Sequence, residues 1–243
     1  MSEVLVIIPT LNEIENIEDI IHAVFEQKNK FDVLVVDDKS SDGTPEKIKD
    51  LQSVFVNRLF LMERNGPKGL GRAYIDGFKW ALEKDYHYVI EMDADFSHDP
   101  NDLDRLYKTC KQEDLDLVVG SRYINGVNVV NWPMKRVLLS FFASKYVKFI
   151  TGISINDTTA GFVCYSRRFL MSLNLENIMF VGYAFQIEMK YKAWKKGFSL
   201  KEISVIFTDR TKGKSKMNGS IINEAVFGVI KLALNGSKIK KHG

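Results

Sequence analysis

An apolar run at residues 87–90 is followed by Glu91-Met92-Asp93-Ala94-Asp95-Phe96-Ser97-His98-Asp99-Pro100, a stretch with closely spaced carboxylates. The pattern predicts a buried strand that ends in Asp-x-Asp. Because alternate residues of a strand share a face, Asp93 and Asp95 should point to the same side. Such carboxylates repel each other unless a cation joins them, and their oxygens suit Mg²⁺ or Mn²⁺ shared with a phosphate. The alternative is a solvated acidic loop before a helix, with Asp99 as N-cap and Pro100 at the first helical position. The two interpretations use different residues, so both can apply.

Strands and helices are predicted to alternate on both sides of this stretch. Apolar runs at residues 4–8, 33–36, 58–62, 87–92 and 116–122 are separated by amphipathic segments, which favours a doubly wound α/β sheet. Ligands of such sheets bind at the carboxyl ends of the strands. The polar residues that fall there are Glu13, Asp37, Asp38, Asp93, Asp95 and Arg122.

The first turn argues against a dinucleotide-binding dehydrogenase. Residues 9–13 contain no glycine, so a pyrophosphate could not approach the backbone closely. The glycine-rich segment at residues 65–71 comes later and precedes a helix. It is explained either by close approach to a phosphate or sugar or by turn geometry alone.

Composition indicates one ordinary globular unit. The chain has 243 residues, of which 45% are hydrophobic and 5 are proline, enough for one sizeable core. Its 2 cysteines are far apart, which predicts reduced thiols and no zinc site. We expect no secretion signal, because the N-terminus lacks a basic region and a cleavage site. No apolar run reaches the roughly 20 residues that span a bilayer.

Charge divides the chain into two halves. Residues 1–120 hold 14 Lys and Arg against 25 Asp and Glu, a balance of −11, and residues 121–243 hold 20 against 6, a balance of +14. The second half therefore suits an anionic partner: nucleic acid, a lipid phosphate or a membrane surface. Otherwise the two halves simply fold against each other. We expect no nucleic acid, because the aromatic residues lie in apolar runs and do not alternate with Arg or Lys.

The second half also contains two apolar helices and a basic loop. A helix predicted at residues 134–150 carries polar positions every four residues, which suits an acceptor that is both apolar and phosphorylated. A core helix with a solvated face is the alternative. A strand is predicted at residues 203–207, a cationic loop that could close over phosphates at 208–217, and a final helix at 221–234. That last helix would lie on a membrane, dock on a membrane partner or a second copy, or pack on its own core.

The motifs together resemble the inverting family 2 glycosyltransferases, and among them the polyprenyl-phosphate (dolichol-phosphate) mannose synthases. The wider family shares residues 9–13, 36–44 and 92–100. The more specific similarity lies in residues 120–123, 132–140, 182–189 and 210–217. The resemblance implies a GT-A (nucleotide-diphospho-sugar transferase) fold with a mostly parallel, doubly wound sheet and flanking helices. It covers nearly the whole chain, expected as one domain: residues 1–122 for the nucleotide-sugar, 123–218 for the acceptor, and 219–243 as an amphipathic helix and basic tail.

The resemblance also implies roles for individual residues. The metal ligands would be Asp95, Asp93 and Ser97, holding Mg²⁺ or Mn²⁺. Arg122, Arg136, Arg210 and Lys216 would face phosphates, with Arg136 and Ser140 on the acceptor phosphate. The nucleotide-sugar would be held by Pro9, Glu13, Asp37, Asp38 and Asp93. Ser144 and residues 159–163 depart from the family pattern.

The implied reaction transfers mannose from GDP-mannose to a polyprenyl phosphate, with inversion, at the cytoplasmic face of a membrane. A UDP-sugar such as UDP-glucose is the alternative donor, since the residues themselves do not separate guanine from uracil. A non-catalytic sugar-nucleotide-binding or scaffold protein is the alternative of another class, although the charged residues of the reaction are all present. We expect a peripheral protein, and the need for a membrane-embedded partner protein stays open.

Overall fold

The computed structural model describes residues 2–182, 184–210, 212 and 219–236, and of residues 219–225 only the backbone. The elements in chain order are β1 (Val4–Thr10), α1 (Ile17–Phe25), β2 (Asp32–Asp37), α2 (Thr44–Gln52), β3 (Leu59–Glu63), α3 (Leu70–Glu83), β4 (Tyr88–Glu91), α4 (Leu103–Gln112), β5 (Leu117–Ser121), β6 (Val129–Val130), α5 (Met134–Thr151), β7 (Val163–Ser166), α6 (Arg167–Met171), α7 (Phe185–Lys196), β8 (Leu200–Ser204), β9 (Phe207–Thr208) and α8 (Gly219–Asn235).

Seven of these strands form one sheet in the order β3-β2-β1-β4-β7-β5-β8. The neighbouring strands are parallel except at β7, which runs antiparallel to both β4 and β5. The prediction of a mostly parallel α/β sheet is thus confirmed. The antiparallel direction of β7, and its place between β4 and β5, were not predicted.

Helices cover both faces of the sheet because the central strands are apolar on both sides. In β1, Leu5 and Ile7 pack with α3, α6 and α7, whereas Val4, Val6 and Ile8 pack with α1, α2 and α4. Each of these five side chains is at most 1% exposed. An unbroken run of buried residues is what a strand covered on both faces requires.

Several predicted boundaries differ from the structure, and two of the differences affect the Asp-x-Asp loop and the edge of the sheet. The strand expected at residues 87–92 ends at Glu91, so Asp93 and Asp95 lie in a loop and not on one face of a strand. Backbone geometry turns the chain there, with Phe96 at a φ of 59°. The strand expected at 203–207 runs over Leu200–Ser204, because its register is set by pairing with β5, in which Leu117 lies opposite Leu200.

The helical turn after the Asp-x-Asp loop begins where it was predicted to begin. Asp99 accepts a hydrogen bond from the backbone N–H of Asn101, and Pro100 begins a single 3₁₀ turn that leads into α4. The cap anchors the end of the loop. The loop is therefore held between β4 and a capped helical turn.

Candidate active site

Two adjoining cavities lie at the carboxyl ends of the central strands. The first cavity, of about 470 Å³, is bordered by the end of β1, the loops after β2 and β4, and the glycine-rich segment before α3. The second cavity, of about 370 Å³, is bordered mainly by α5, α7, α8 and the residues after β9. Both are bordered by Leu70, Asp93, Asp95 and Arg210. Ligands of the two cavities would meet beside the Asp-x-Asp loop.

Both oxygens of the Asp95 carboxylate have partners at this junction. Its Oδ2 lies 2.8 Å from Nη2 of Arg210, and its Oδ1 accepts the backbone N–H of Ser97 at 3.1 Å. Burial acts to raise the pKa of Asp95, but hydrogen bonds from Ser97 and the charge of Arg210 outweigh it and place the pKa below its ordinary value. Asp95 is therefore ionised at neutral pH.

His98 packs against the loop, and no role was predicted for it from its motif. Its Nδ1 accepts the backbone N–H of Asp93 at 3.0 Å, so in the neutral ring the proton is on Nε2. The ring stacks on Phe162 at 4.8 Å, and burial lowers the pKa of His98 to about 4. A neutral imidazole thus fixes the backbone of Asp93. Its position next to Ser97 in the motif was the available signal.

The carboxylates fit a shared metal site. Among the described residues, no group of three or more His, Cys, Asp or Glu side chains is arranged to hold a metal ion by itself. Asp93 and Asp95 nevertheless border both cavities, and Ser97 follows in the same loop. Mg²⁺ is commonly bound by one or two carboxylates together with substrate phosphates. The donor set suits a cation that arrives with a phosphate ligand.

The residues expected to hold a nucleotide-sugar divide into two groups. Pro9, Glu13, Asp38 and Asp93 border the first cavity. Asp37 does not border it among the described residues and is only 1% exposed. Its carboxylate accepts hydrogen bonds from the hydroxyl of Thr10, at 2.8 Å, and from the backbone of Ser40, at 2.9 Å, and so shapes the turn after β2.

Asp38 is fixed by two partners, Arg64 and the backbone of Gly69. It forms an ion pair with Arg64, which also donates from Nε to Asp76 at 2.6 Å. Its Oδ2 accepts the backbone N–H of Gly69 at 2.8 Å. The carboxylate therefore ties the glycine-rich segment to the end of β2. Lys68 and Gly69 border the cavity, so this segment lies where a ligand would contact it.

Arg122 has a buried carboxylate as its partner. Its Nε and Nη2 each lie 2.7 Å from an oxygen of Asp157, and Nη2 also donates to Oγ1 of Thr159 at 2.8 Å. The guanidinium lies within 5.5 Å of the ring centroids of Trp132 and Phe207. Arg122 borders the second cavity, and its contact with a phosphate stays a prediction. The sequence did not identify Asp157 as its partner.

Arg136 and Ser140 lie one turn apart on α5 and both border the second cavity. Nη1 of Arg136 is 2.6 Å from Oδ1 of Asp209, and the guanidinium lies 4.0 Å from the centroid of the Trp132 ring. About a third of the Arg136 side chain is exposed. The predicted role of Lys216 falls outside the described residues.

The rest of the second cavity is apolar and lies where α5 and α8 meet. Leu139, Phe142 and Val147 of α5 border it, as do Val226 and Val229 of α8. The hydroxyl of Tyr146 donates to the carbonyl of Val226 at 3.0 Å and links the two helices. None of the helices in the described part of the chain has the length and hydropathy of a membrane span.

A cavity thus lies on each side of the Asp-x-Asp loop, at the strand ends of a mostly parallel sheet. The model of the family "Glycosyl transferase family 2" matches residues 5–173. The chain belongs to this family.

Curated relatives narrow the similarity. Polyprenol monophosphomannose synthase from Mycolicibacterium smegmatis is 41% identical over 239 residues, covering 98% of this chain and 90% of that protein. Undecaprenyl-phosphate mannosyltransferase from Micrococcus luteus is 39% identical over 231 residues, covering 95% and 94%. The resemblance to polyprenyl-phosphate mannose synthases is confirmed.

Solved structures of glucosyl-3-phosphoglycerate synthase from Mycobacterium tuberculosis share the fold. The complex with Mn²⁺, UDP and glucosyl-3-phosphoglycerate has a TM-score of 0.67 at 16% identity and covers 100% of this chain and 82% of that one. The complex with Mg²⁺ and UDP has a TM-score of 0.67 at 18% identity, with the same coverage. At this identity the comparison establishes the GT-A fold.

Proposed function

We propose that the chain transfers mannose from GDP-mannose to a polyprenyl phosphate with inversion, giving polyprenyl phosphate β-mannose and GDP. The observation that carries the proposal is the meeting of the two cavities at Asp93, Asp95 and Arg210. One cavity is rich in carboxylates, and the other combines cations with apolar side chains. The names of the two curated relatives support mannose as the sugar and a polyprenyl phosphate as the acceptor.

The first cavity is proposed to hold the nucleotide-sugar. Glu13 and Asp38 are carboxylates that can accept hydrogen bonds from a base or a ribose, and Lys68 offers a cation to a phosphate. Asp37 contributes from behind by holding the turn after β2. The proposal assigns residues 1–122 to the donor and 123–218 to the acceptor. The two halves meet at the junction, where residues of the first half also border the second cavity: Leu70, Asp93, Asp95, Ser97, His98 and Arg122.

The second cavity is proposed to hold the lipid phosphate. Arg136 offers a planar guanidinium held between Asp209 and Trp132, and Ser140 lies one turn further along the same helix. Planar guanidinium groups suit phosphate oxygens. The apolar walls from α5 and α8 suit the isoprenoid units next to the phosphate. Lys216 would add a cation to this site.

The reaction depends mainly on electrostatic stabilisation of the donor and acceptor phosphates. A phosphate monoester is already anionic at neutral pH, so its oxygen can attack the anomeric carbon without a strong general base. The bond from that carbon to the diphosphate breaks, and GDP leaves with the electron pair. Attack opposite the leaving group inverts the anomeric centre. Arg136, Arg210 and Lys216 would offset repulsion between the two sets of phosphates.

A divalent cation completes the proposed site. Asp95, with Asp93 and Ser97, would hold Mg²⁺ or Mn²⁺, which when bound supplies positive charge to the leaving diphosphate. The structural neighbours crystallised with Mn²⁺ or Mg²⁺ support a metal of this kind. Asp95 is suited to the task because its pKa lies below the ordinary value, so the carboxylate is ionised before a metal arrives.

Association with the cytoplasmic face of a membrane is the remaining part of the proposal. Phe149 of α5 is 86% exposed and Phe227 of α8 is 73% exposed. Large apolar side chains on neighbouring helices suit insertion at a lipid surface, with the basic second half next to anionic headgroups. The acceptor lipid could then reach the second cavity without leaving the bilayer.

Transfer of label into lipid tests the proposal. The purified protein is incubated with Mn²⁺, farnesyl phosphate and labelled GDP-mannose, with GDP-glucose, UDP-glucose and UDP-galactose as parallel donors. Label should enter the lipid phase from GDP-mannose. If label enters the lipid phase only from a UDP-sugar, that sugar nucleotide replaces GDP-mannose as the proposed donor. If no donor labels the lipid, the synthase proposal is overturned.

A further inference from the structure

Lys190 of α7 is a lysine with 0% exposure. Its Nζ donates to the carbonyl of Ala160 at 2.6 Å, to the carbonyl of Gln186 at 3.1 Å and to Oε1 of Gln186 at 3.3 Å. An ammonium group has three N–H bonds, so these contacts use all of them. Lysine is rarely buried completely, because desolvation of its charge is costly. We therefore expect this buried ammonium group to hold other parts of the site in position.

One gain is a fixed orientation of the Gln186 amide. Lys190 contacts Oε1, and Nε2 on the other side donates to Oε2 of Glu91 at 2.7 Å. Both ends of the amide are thus held, and the amide cannot flip. Gln186 borders the second cavity. The bond to Glu91 uses one of the two N–H groups of the amide, so the other can be donated into the cavity.

The other gain is a fixed position for residues 159–161. Lys190 holds the carbonyl of Ala160, and the flanking residues Thr159 and Gly161 both border the second cavity. Thr159 also accepts a hydrogen bond from Arg122 at 2.8 Å. Gln186, Thr159 and Gly161 do not border the first cavity among the described residues. Lys190 therefore acts on the wall of one cavity only.

The charge on Lys190 is supported by its surroundings. Burial lowers the pKa of Lys190 to about 8, and the nearby carboxylates of Glu91 and Asp157 oppose this effect. Its three contacts are all with oxygen acceptors, which match the three N–H donors of the ammonium form.

We propose that Lys190 is a positioning residue for the acceptor, which holds the Gln186 amide and residues 159–161 in the arrangement that receives a lipid phosphate in the second cavity. The inference rests on the proposed function of that cavity. Loss of Lys190 should weaken acceptor binding and leave nucleotide binding in the first cavity unchanged.

The test compares two ligands in a Lys190→Met variant, which keeps the apolar stem and removes the ammonium group. Calorimetry measures binding of farnesyl phosphate, and separately of GDP and UDP with Mn²⁺. Farnesyl phosphate should bind about tenfold more weakly, as expected when a charged hydrogen-bond donor is removed. Nucleotide binding should stay within about twofold. In the transfer assay, the KM for farnesyl phosphate should rise and the KM for the sugar nucleotide should not.

Lys192→Met is the matched control, because Lys192 lies on the same helix and forms an ion pair with Glu188 at 2.7 Å, and neither residue borders a cavity. It should not change farnesyl phosphate binding. Gln186→Met is the second variant. In the double variant with Lys190→Met, the loss of farnesyl phosphate binding should be smaller than the sum of the two single losses, because the lysine acts in part through this amide.

Three results would overturn the inference: unchanged farnesyl phosphate binding in Lys190→Met, an equal loss in Lys192→Met, or a parallel loss of nucleotide binding and melting temperature. Its failure is separable from that of the proposed function. If farnesyl phosphate binds the wild type and binds Lys190→Met more weakly, but no donor labels it, the positioning role stands and the synthase proposal falls. If the wild type transfers sugar and Lys190→Met keeps the wild-type KM for farnesyl phosphate, the synthase proposal stands and the positioning role falls. A wild type that does not bind farnesyl phosphate overturns both.

Discussion

Arg210 and Asp95 form an ion pair at the junction of the two cavities, with Nη2 2.8 Å from Oδ2. The carboxylate is the proposed metal ligand, and the guanidinium is proposed to face phosphate. A metal with its nucleotide would offer each of them a new partner: the cation for Asp95 and the diphosphate for Arg210. Each side chain therefore occupies the position that a ligand charge would take. A metal ion that binds without a nucleotide has to compete with Arg210 for the Asp95 carboxylate.

The first prediction follows from this competition. Arg210→Met should strengthen the binding of Mn²⁺ alone by about fivefold, since a partly exposed ion pair contributes roughly 1 kcal/mol. Free Mn²⁺ measured by electron paramagnetic resonance gives the affinity. Arg136→Met is the control, because it removes the same charge from a guanidinium that pairs with Asp209 instead. Weaker Mn²⁺ binding in Arg210→Met would contradict the competition.

The second prediction concerns the proposed metal ligand. Asp95→Asn keeps the size of the side chain and removes its charge, so turnover should fall by at least about a hundredfold while the melting temperature changes little. The control is Asp99→Asn in the same loop. Asparagine caps a helix about as well as aspartate, so this variant should keep both stability and turnover. Wild-type rates in Asp95→Asn would remove Asp95 from the mechanism.

Local patterns in the sequence accounted for most of the sheet. Residues 4–8 are apolar without interruption, and the structure buries them on both faces of β1. The same kind of run at β7 gave no indication of direction, because four buried residues look alike in a parallel and in an antiparallel strand. The pairing of Glu91 with Val163 depends on a chain reversal that local periodicity does not encode.

The sequence motifs named residues that the structure brings to the cavities, but not the distant partners that hold them. Asp93 and Asp95 border both cavities and Arg136 and Ser140 border the second, and their roles stay predictions. The contact between Arg122 and Asp157 spans 35 positions, and nothing in either motif pairs them. The contact of Lys190 with a backbone carbonyl could not be foreseen, because every residue has one. Such partners appear only once the fold brings them together.

The third prediction tests Arg136 as a ligand of the acceptor phosphate. Arg136→Lys keeps the charge but loses the planar group that lies 4.0 Å from the Trp132 ring centroid. The KM for farnesyl phosphate should rise by about tenfold, since lysine offers a point charge instead of a fork. Arg168→Lys is the matched control, since Arg168 pairs with Asp116 at 2.7 Å and borders neither cavity. A raised KM for the donor alone would reassign Arg136 to the first cavity.

The fourth prediction concerns the buried pair of Arg122 and Asp157. Asp157→Asn leaves the guanidinium buried without a counter-charge and should lower the free energy of unfolding by about 3 kcal/mol. Urea denaturation at pH 7 measures the change. Asp114→Asn is the control, because the Asp114 side chain is 88% exposed in its contact with Arg168. If both substitutions lower the free energy of unfolding by the same amount, the buried pair contributes no more to stability than the exposed contact of Asp114.

The same pair predicts a dependence of stability on pH. Burial acts to raise the pKa of Asp157, but Arg122 outweighs it, so the pKa lies below the ordinary value of 3.8. The unfolded state therefore binds the proton more readily. The contribution of Asp157 is present above about pH 4 and is lost as the pH falls through the lower folded pKa. Urea denaturation from pH 6 to pH 3 should show a steeper loss for the wild type than for Asp157→Asn, and equal slopes would contradict this assignment.

The fifth prediction addresses the membrane surface. Phe227→Glu and Phe149→Glu change side chains that border neither cavity, so the rate on farnesyl phosphate without vesicles should not change. Binding to vesicles of phosphatidylglycerol and phosphatidylcholine should fall by about tenfold, because burial of a phenylalanine contributes roughly 1.5–3 kcal/mol. Co-sedimentation measures it. Met171→Glu on α6, 63% exposed, controls for the added charge. If Met171→Glu weakens binding equally, α5 and α8 are not the membrane-facing surface.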